Sequence, residues 1–156
     1  MRTFVEEMGA PVRAAESAEA AVRGADVVVV ATNAVEPAIQ SEWVGAGTHV
    51  IAIGACRPSH REMDGKLVAR ARVVVDSREA AWHESGDVRI ASEEHGFGRD
   101  HVRVELGEIL AGREAGRAGD EVTVFKSLGL AIEDVAAAGL AYRRAREMRR
   151  GIEVEL

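Results

Sequence analysis

The sequence predicts an α/β fold organised around a parallel sheet, and three observations lead to that prediction. Apolar runs begin at Val27, Val50 and Val73, at nearly equal spacing, and their β-branched residues favour strands. Each gap is long enough for a parallel crossover, which needs roughly twelve residues or more. The gaps contain predicted helical segments at 37–44 and 61–70 whose sequences do not resemble each other. We therefore expect successive β–α units of one sheet, and not a solenoid.

The elements ahead of the first strand are predicted to be short. Residues 2–8 are typical of the end of a helix closed by Gly9. Residues 11–15 fit a short edge strand, where a proline removes no ladder hydrogen bond. Ser17 is expected to cap a helix over 18–23 that Gly24 ends. The first strong strand is then predicted at 27–31, which contains four consecutive valines.

The rest of the chain continues the alternation. Further strands are predicted at 50–53, 73–75 and 121–126, and helices at 78–84 and 106–110. Ser59 and Glu62 have the spacing of a capping box, so a helix is expected to begin there. Residues 92–100 and 113–120 are polar and glycine-rich, as surface loops are. The longest helix, about 130–149, carries a narrow stripe of small residues. It packs either on the sheet or on an element outside this chain.

Composition limits the classes of protein to which the chain can belong. Its 156 residues, 47% of them apolar, suffice for one ordinary core. A net charge of −6 argues against binding to nucleic acid or to an anionic membrane surface. The longest wholly apolar run is far shorter than a membrane span, and no signal peptide is visible. A single cysteine, Cys56, excludes an internal disulfide and indicates the cytoplasm.

Small or polar residues follow each predicted strand, and this is where ligands of open α/β sheets bind. These strand ends are Thr32-Asn33, Gly54-Ala55-Cys56, Asp76-Ser77 and Lys126-Ser127. Two of them precede predicted helix starts, whose free N–H groups favour anions. A nucleotide cofactor fits that edge. The alternative is that these residues only cap helices and form turns.

Several catalytic motifs are missing from the sequence. It has no Gly-x-x-x-x-Gly-Lys loop and no Gly-x-Ser-x-Gly turn, so neither a nucleotide kinase nor an ordinary serine hydrolase is supported. It also lacks Gly-x-Gly-x-x-Gly between a strand and a helix. The five histidines show no metal-ligand spacing, so no metal site is expected. Cys56 lies beside Arg57 near a predicted helix start, a setting that favours a nucleophilic thiolate, but no histidine is placed to act as its base.

With these residues in view, the sequence resembles the ornithine cyclodeaminase and mu-crystallin family over nearly its whole length. The resemblance rests on Ala25-Asp-Val-Val-Val-Val-Ala-Thr32, Gly54-Ala-Cys-Arg-Pro58 and Phe125-Lys-Ser-Leu-Gly129, and on segments 42–49, 61–64, 75–87 and 105–112. It implies a partial Rossmann-like parallel sheet that lacks its first βαβ unit and is followed by a long C-terminal helix. Residues 1–124 would form an incomplete NAD(P)-binding domain. Residues 125–156 would return to the substrate and dimerisation domain of a homodimer.

The resemblance also implies roles for individual residues. It places Thr32, Ile53, Gly54, Ala55 and Ser127 along NAD or NADP, and Asn33 joins them at the same strand end. It places Cys56, Glu84 and Leu128 near a small amino-acid or imine substrate, with Arg57 beside them. Cys56 is the candidate catalytic residue. Glu84 alone, read as a helix end, is equally compatible with a cation contact or with a solvated side chain.

The reaction that the resemblance implies depends on Cys56 and His60. Ornithine cyclodeaminases resemble this chain but carry an aspartate and a lysine there, so conversion of ornithine to proline and ammonia is only the alternative. The sequences of these motifs resemble more closely the mu-crystallin, ketimine reductase and alanine dehydrogenase branch, whose enzymes reduce a cyclic imine or a 2-oxo acid. A degenerate, non-catalytic binding module is a third interpretation. Family members are about twice as long and carry a Gly-x-Gly-x-x-Ala turn that this sequence lacks. We therefore expect the chain alone to be inactive and to bind cofactor weakly or not at all.

Overall fold

The computed structural model describes residues 11–152 and 154, and within them it has a five-stranded parallel sheet. Its strands are β1 (Val27–Val30), β2 (His49–Ala52), β3 (Arg72–Val75), β4 (Val104–Glu105) and β5 (Thr123–Lys126). Their order across the sheet is β1-β2-β5-β3-β4. The predicted parallel α/β sheet is confirmed. The predicted helix at 2–8 lies outside the described residues.

The last strand of the chain occupies the centre of the sheet. In the register of β5 with its two neighbours, Lys126 pairs with Ala52 of β2 and with Val75 of β3. Val30 of β1 pairs in turn with Ala52. The carboxyl ends of four strands are therefore level. The short β4 at the edge was not predicted from the sequence, because two residues carry too little pattern to recognise.

The described helices are α1 (Ala18–Val22), α2 (Gly65–Arg70), α3 (Arg78–Glu84), α4 (Gly86–His95), α5 (Leu106–Leu110) and α6 (Ala131–Glu147). Ser17 caps α1, as predicted, and Ser77 caps α3, each by accepting a backbone N–H bond. The predicted loop at 92–100 is partly wrong, because α4 continues to His95 and ends at Gly96 in the left-handed conformation.

Three other predicted elements are wrong. Residues 11–15 form no strand, and 37–44 contain no α-helix but a 3-10 turn, Ser41–Trp43, and an isolated bridge from Ile39 to Met63. No helix begins at Ser59. The helix α2 begins at Gly65 instead, where the Asp64 side chain accepts a 2.9 Å bond from the Leu67 N–H. The Ser59–Glu62 spacing predicted the wrong helix start because the Glu62 side chain bonds to Thr32, Gly54 and Ala55 and not to the backbone of Ser59.

The core lies between the sheet and the paired helices α2 and α4. Val50 and Val124 are fully buried in the central strands, and Leu67 of α2 is fully buried against them. A Cβ on Gly65 would overlap the Glu94 side chain, so glycine there lets α2 approach α4 closely. The two helices thereby pack closely together, and the start of α4 contacts the site described below.

Helix α6 does not pack on this core. None of its residues is buried, and its apolar side chains stay more than half exposed: Ile132 68%, Val135 66%, Leu140 52% and Tyr142 60%. The interpretation of α6 as a core helix on the sheet is therefore wrong. Within the described residues, no helix is both long and apolar enough to cross a membrane.

Candidate ligand site at the carboxyl edge of the sheet

Buried charged side chains join the ends of neighbouring strands at the carboxyl edge. Glu62 joins the turns that follow β1 and β2. Lys126, the last residue of β5, joins that strand to the turn after β2. Asp76, which follows β3, joins it to the turn after β5. The candidate site is thus the carboxyl edge of the sheet, where buried side chains link the turns after β1, β2, β5 and β3 in that spatial order.

Glu62 is fully buried and accepts four hydrogen bonds. Its Oε1 accepts from the Thr32 N–H at 2.5 Å and from the Thr32 hydroxyl at 2.8 Å. Its Oε2 accepts from the N–H groups of Gly54 and Ala55, at 2.8 and 3.0 Å. Burial acts to raise the pKa of Glu62, but the hydrogen bonds outweigh burial and lower that pKa below its ordinary value. Glu62 is therefore ionised at neutral pH.

Lys126 is also fully buried, although lysine side chains are almost always exposed. Its Nζ donates a 2.6 Å bond to the Ala55 carbonyl oxygen. It lies 3.3 Å from Asp87 Oδ2 and 4.0 Å from Glu62 Oε2. A buried ammonium needs such partners, because an unpaired charge in the interior costs several kcal/mol. Lys126 is the cation that faces both carboxylates of this cluster.

Asp87, in the first turn of α4, supports Glu62 from below. Its Oδ1 accepts from the backbone N–H groups of Glu62 and Met63, at 2.7 and 2.9 Å. Burial raises the pKa of Asp87, and the Lys126 charge and these bonds only partly oppose that shift. Gly86 lets α4 begin this close, since a Cβ there would overlap the carbonyl of His60. The start of α4 therefore holds the segment that carries Glu62.

Asp76 makes a similar arrangement on the far side of β5. Its Oδ2 accepts from the Ser127 hydroxyl at 2.9 Å and from the N–H groups of Leu128 and Gly129 at 2.8 and 2.7 Å. Gly129 adopts a positive φ of 83°, a conformation that glycine allows at little cost. The Phe125-Lys-Ser-Leu-Gly129 motif thus folds around one carboxylate.

The structure brings most of the predicted cofactor residues to this edge. Thr32 and Gly54 lie so close together that a Cβ on Gly54 would overlap the Thr32 backbone. Ala55 is buried directly beneath them, while Ile53 is 44% exposed. Ser127 lies one strand further along, and its N–H donates to the Ala52 carbonyl at 3.1 Å. Asn33 is exposed beyond Thr32.

The predicted substrate residues are less closely grouped. Cys56 is exposed, with Sγ 3.7 Å from the Gly54 carbonyl oxygen, and Arg57 is exposed beside it. Leu128 is half-buried on the Asp76 turn, and Glu84 is exposed at the last residue of α3. Because α2 begins at Gly65, Cys56 does not lie at a helix N-terminus, which removes one reason to expect a nucleophilic thiolate.

The sequence prediction missed Glu62 and Asp87 as residues of this site, and it placed Lys126 at the strand end without predicting its burial or its ionic partners. Glu62 was assigned to a helix cap because of its spacing from Ser59. For Lys126 a signal was present: Val122, Val124 and Lys126 alternate on one face of a strand, so the lysine must point into the core. Asp87 carried no local signal, because its partners come from 24 and 25 residues earlier.

Comparison with known proteins gives one consistent result. The family model described as "Ornithine cyclodeaminase/mu-crystallin family" matches residues 1–149. Ketimine reductase mu-crystallin of Mus musculus is 45% identical over 139 residues, which are 89% of this chain and 42% of that protein. Delta(1)-pyrroline-2-carboxylate reductase of Bacillus cereus is 41% identical over 152 residues, which are 96% of this chain and 46% of that protein.

A solved structure agrees with these sequence matches. It is the Thermococcus litoralis Delta(1)-pyrroline-2-carboxylate reductase in complex with NADH and L-proline. The similarity has a TM-score of 0.89 at 39% identity, and it covers 98% of this chain and 48% of that one. This chain therefore spans less than half the length of the relatives that it matches.

Proposed function

This chain belongs to the ornithine cyclodeaminase/mu-crystallin family, and we propose that it supplies the nicotinamide-facing part of an NAD(P)-dependent oxidoreductase. The proposed substrate is a cyclic imine or a small amino or 2-oxo acid. The observation that carries the proposal is the tied carboxyl edge, where the turns bearing Thr32, Gly54 and Ser127 follow three neighbouring strands. Ligands of open parallel sheets bind at this edge.

The residues of the edge fit a nicotinamide cofactor. Ile53 offers an exposed apolar side chain on which a planar ring can pack. Glu62, Asp76 and Asp87 are all turned inward and bonded to backbone groups, so their charges do not face an anionic dinucleotide. We propose that Thr32, Asn33, Ile53, Gly54, Ala55 and Ser127 contact the cofactor. The NADH bound by the T. litoralis reductase supports the choice of a nicotinamide cofactor.

The chemistry proposed for the substrate side is simple. A bound nicotinamide would supply a hydride to the imine carbon. The imine nitrogen must also gain a proton, and we propose that the exposed Cys56 thiol holds it there, beside the Gly54 carbonyl. Arg57 is a cation suited to the carboxylate of such a substrate. We propose that Glu84 and Leu128 complete its lining.

The domain division that we propose follows from the exposure of α6. Residues 1–124 belong to the cofactor-binding domain, and 125–156 lead into a substrate and dimerisation domain. Helix α6 buries none of its residues on the sheet, although it carries several large apolar side chains. Contiguous exposed apolar surface marks an interaction site. A homodimer is the assembly that we propose for the whole protein.

The test of this function uses the longest polypeptide encoded by the reading frame that contains this sequence. We expect it to oxidise NADH or NADPH when Delta(1)-pyrroline-2-carboxylate or another cyclic imine acid is added. Near-total loss of turnover in Cys56→Ala would support the thiol as the proton donor, whereas a modest loss would leave Cys56 as a pocket residue only. Ornithine-dependent release of ammonia without imine reduction would contradict the proposal in favour of a cyclodeaminase, and no turnover at all would favour a non-catalytic module.

The 156-residue chain is tested separately by titration with NADH and NADPH, followed by nicotinamide fluorescence. We expect binding weaker than micromolar, because the sequence contains no Gly-x-Gly-x-x-Ala turn to hold the pyrophosphate. Micromolar binding of either cofactor would show that this expectation is wrong.

A further inference from the structure

We infer that Glu62 is the positioning residue of this edge, whose single carboxylate sets the separation and orientation of the turns after β1 and β2. It thereby aims Thr32, Gly54 and Ala55 at the cofactor. The identity of that ligand rests on the proposed function, whereas the positioning itself rests on the contacts of Glu62. No sequence motif of a cofactor site singled this residue out.

The two carboxylate oxygens of Glu62 bind the turns after two different strands. Oε1 serves only the end of β1, through the N–H and hydroxyl groups of Thr32. Oε2 serves only the end of β2, through the N–H groups of Gly54 and Ala55. Because the two oxygens belong to one rigid planar group, neither turn can move relative to the other without losing a hydrogen bond to a charged acceptor.

Glu62 is itself immobilised by its surroundings. Its backbone N–H donates to Asp87, and its carbonyl accepts from the N–H groups of Ala38 and Ile39 at 2.8 and 3.0 Å. The peptide groups of Ala55 are held on both sides, since the N–H is bound by Glu62 and the carbonyl by Lys126. The backbone of Glu62 and the peptide groups of Ala55 are thus held by hydrogen bonds from three other segments of the chain.

A purely stabilising role accounts for this arrangement less well. Buried ion pairs contribute little net stability compared with apolar residues of the same volume, because desolvation offsets their attraction. Four donors converging on one carboxylate instead specify one geometry of the two turns. A carboxylate is needed for this role, because a glutamine offers one acceptor oxygen and would turn its NH₂ group toward the donors of one strand.

The test compares the 156-residue chain with Glu62→Gln and with the surface control Glu93→Gln. Amide hydrogen exchange is followed residue by residue in ¹⁵N spectra. In E62Q we expect exchange at Thr32, or at Gly54 and Ala55, to accelerate at least about tenfold more than exchange at Val50 and Val124, which report any loss of global stability. The tenfold change corresponds to about 1.4 kcal/mol, close to the lower limit for a hydrogen bond to a charged group. Unchanged exchange at all three amides would overturn the inference.

A second measurement addresses the ligand, using NADH as the probe. Chemical-shift titration detects millimolar binding, so weak affinity does not prevent it. We expect NADH to shift the amides of Thr32, Gly54 and Ala55 in wild type and in E93Q, and E62Q to weaken binding at least about tenfold under conditions in which all three proteins are fully folded. If wild type shows no NADH shifts while E62Q still accelerates exchange, the ligand part of the inference fails for this chain and the positioning role stands. Wild-type affinity in E62Q would refute its role in binding.

If E62Q does not fold, the wild-type chain provides the test. Lowering the pH protonates Glu62, so the amide resonances of Thr32, Gly54 and Ala55 should move together with one apparent pKa below the ordinary value of 4.5. Asp87 and Lys126 also face this cluster. The Leu128 and Gly129 amides donate to Asp76 across β5, so they serve as reference amides that do not contact Glu62. Independent titration of the three amides would contradict a shared carboxylate.

Discussion

Lys126 Nζ donates a 2.6 Å hydrogen bond to the carbonyl oxygen of Ala55, although 71 residues separate them in the chain. The contact joins the end of the central strand β5 to the turn after β2. It also completes a cluster in which Glu62 and Asp87 surround one buried cation. The backbone that we propose to face the cofactor is therefore held by charged groups from distant segments.

Replacing Lys126 with methionine should destabilise the chain strongly. The substitution keeps most of the side-chain volume but leaves Asp87 and the Ala55 carbonyl without their buried partner. Removing one member of a buried ion pair costs about 3–5 kcal/mol. Urea unfolding of K126M at pH 7 measures the loss. The control is Lys66→Met on the exposed face of α2, which should change the free energy of unfolding by less than about 0.5 kcal/mol. Equal stability of the two variants would contradict the role assigned to Lys126.

Gly54→Ala should destabilise the protein and displace Thr32. The added Cβ would overlap the Thr32 backbone, which cannot give way as a flexible side chain can. Overpacking of this kind costs about 1–3 kcal/mol. Gly107→Ala is the matched control, because Gly107 lies within α5 and an added Cβ meets no atom within 4 Å. That control should gain about 0.5–1 kcal/mol. Thermal unfolding tests whether the unfolding midpoint falls in Gly54→Ala and rises in Gly107→Ala.

The stability of the chain should fall as the pH drops below 6.5. His49 lies 2.7 Å from the Thr123 hydroxyl, and burial and the charge of Arg117 lower its pKa below the ordinary 6.5. The unfolded chain therefore binds more protons than the folded one between the two pKa values, and acidification favours unfolding. Denaturant unfolding between pH 7.5 and 5 measures this decline.

His49→Asn should flatten that decline, because the asparagine does not titrate. The exposed His83→Asn serves as the control and should retain it. A pH dependence that is the same in H49N and in wild type would assign the effect to another group.

Val135→Glu should reduce self-association without weakening the sheet. Val135 is 66% exposed on α6, a helix with no buried residue. A glutamate there disfavours an apolar contact between copies. Sedimentation velocity compares V135E with Ala137→Glu, which adds the same charge about 200° around the helix. Equal association of both variants would argue against this face as the dimer contact.

The strands and several caps were predictable from the sequence because their causes are local. The valine runs after Val27 and Val73 favour strands whatever surrounds them, and Ser17 and Ser77 cap helices through the next few residues. The strand-end rule then identified most of the turns of the edge. It needed only the direction of the chain in each strand, which β–α alternation implies.

The element boundaries around Glu62 could not be predicted in this way. The capping-box spacing of Ser59 and Glu62 was a valid local signal, but tertiary contacts outweighed it. Thr32, Gly54 and Ala55 offer Glu62 four hydrogen bonds, whereas a helix start would use one. The helix begins at Gly65, where Asp64 provides the cap.

By itself, the sequence determined a parallel α/β sheet, the family of the chain and the turns at the carboxyl edge. Strand propensity, helix capping and sequence motifs each depend on residues that are close together in the chain. Only the tertiary structure decided the strand order, with β5 in the centre, and the partners of the buried charges. Glu62, Asp87 and Lys126 come from segments far apart in the chain, and burial makes each of them depend on the others. A charge excluded from water must find its partners across the fold, and no local pattern specifies which partners those are.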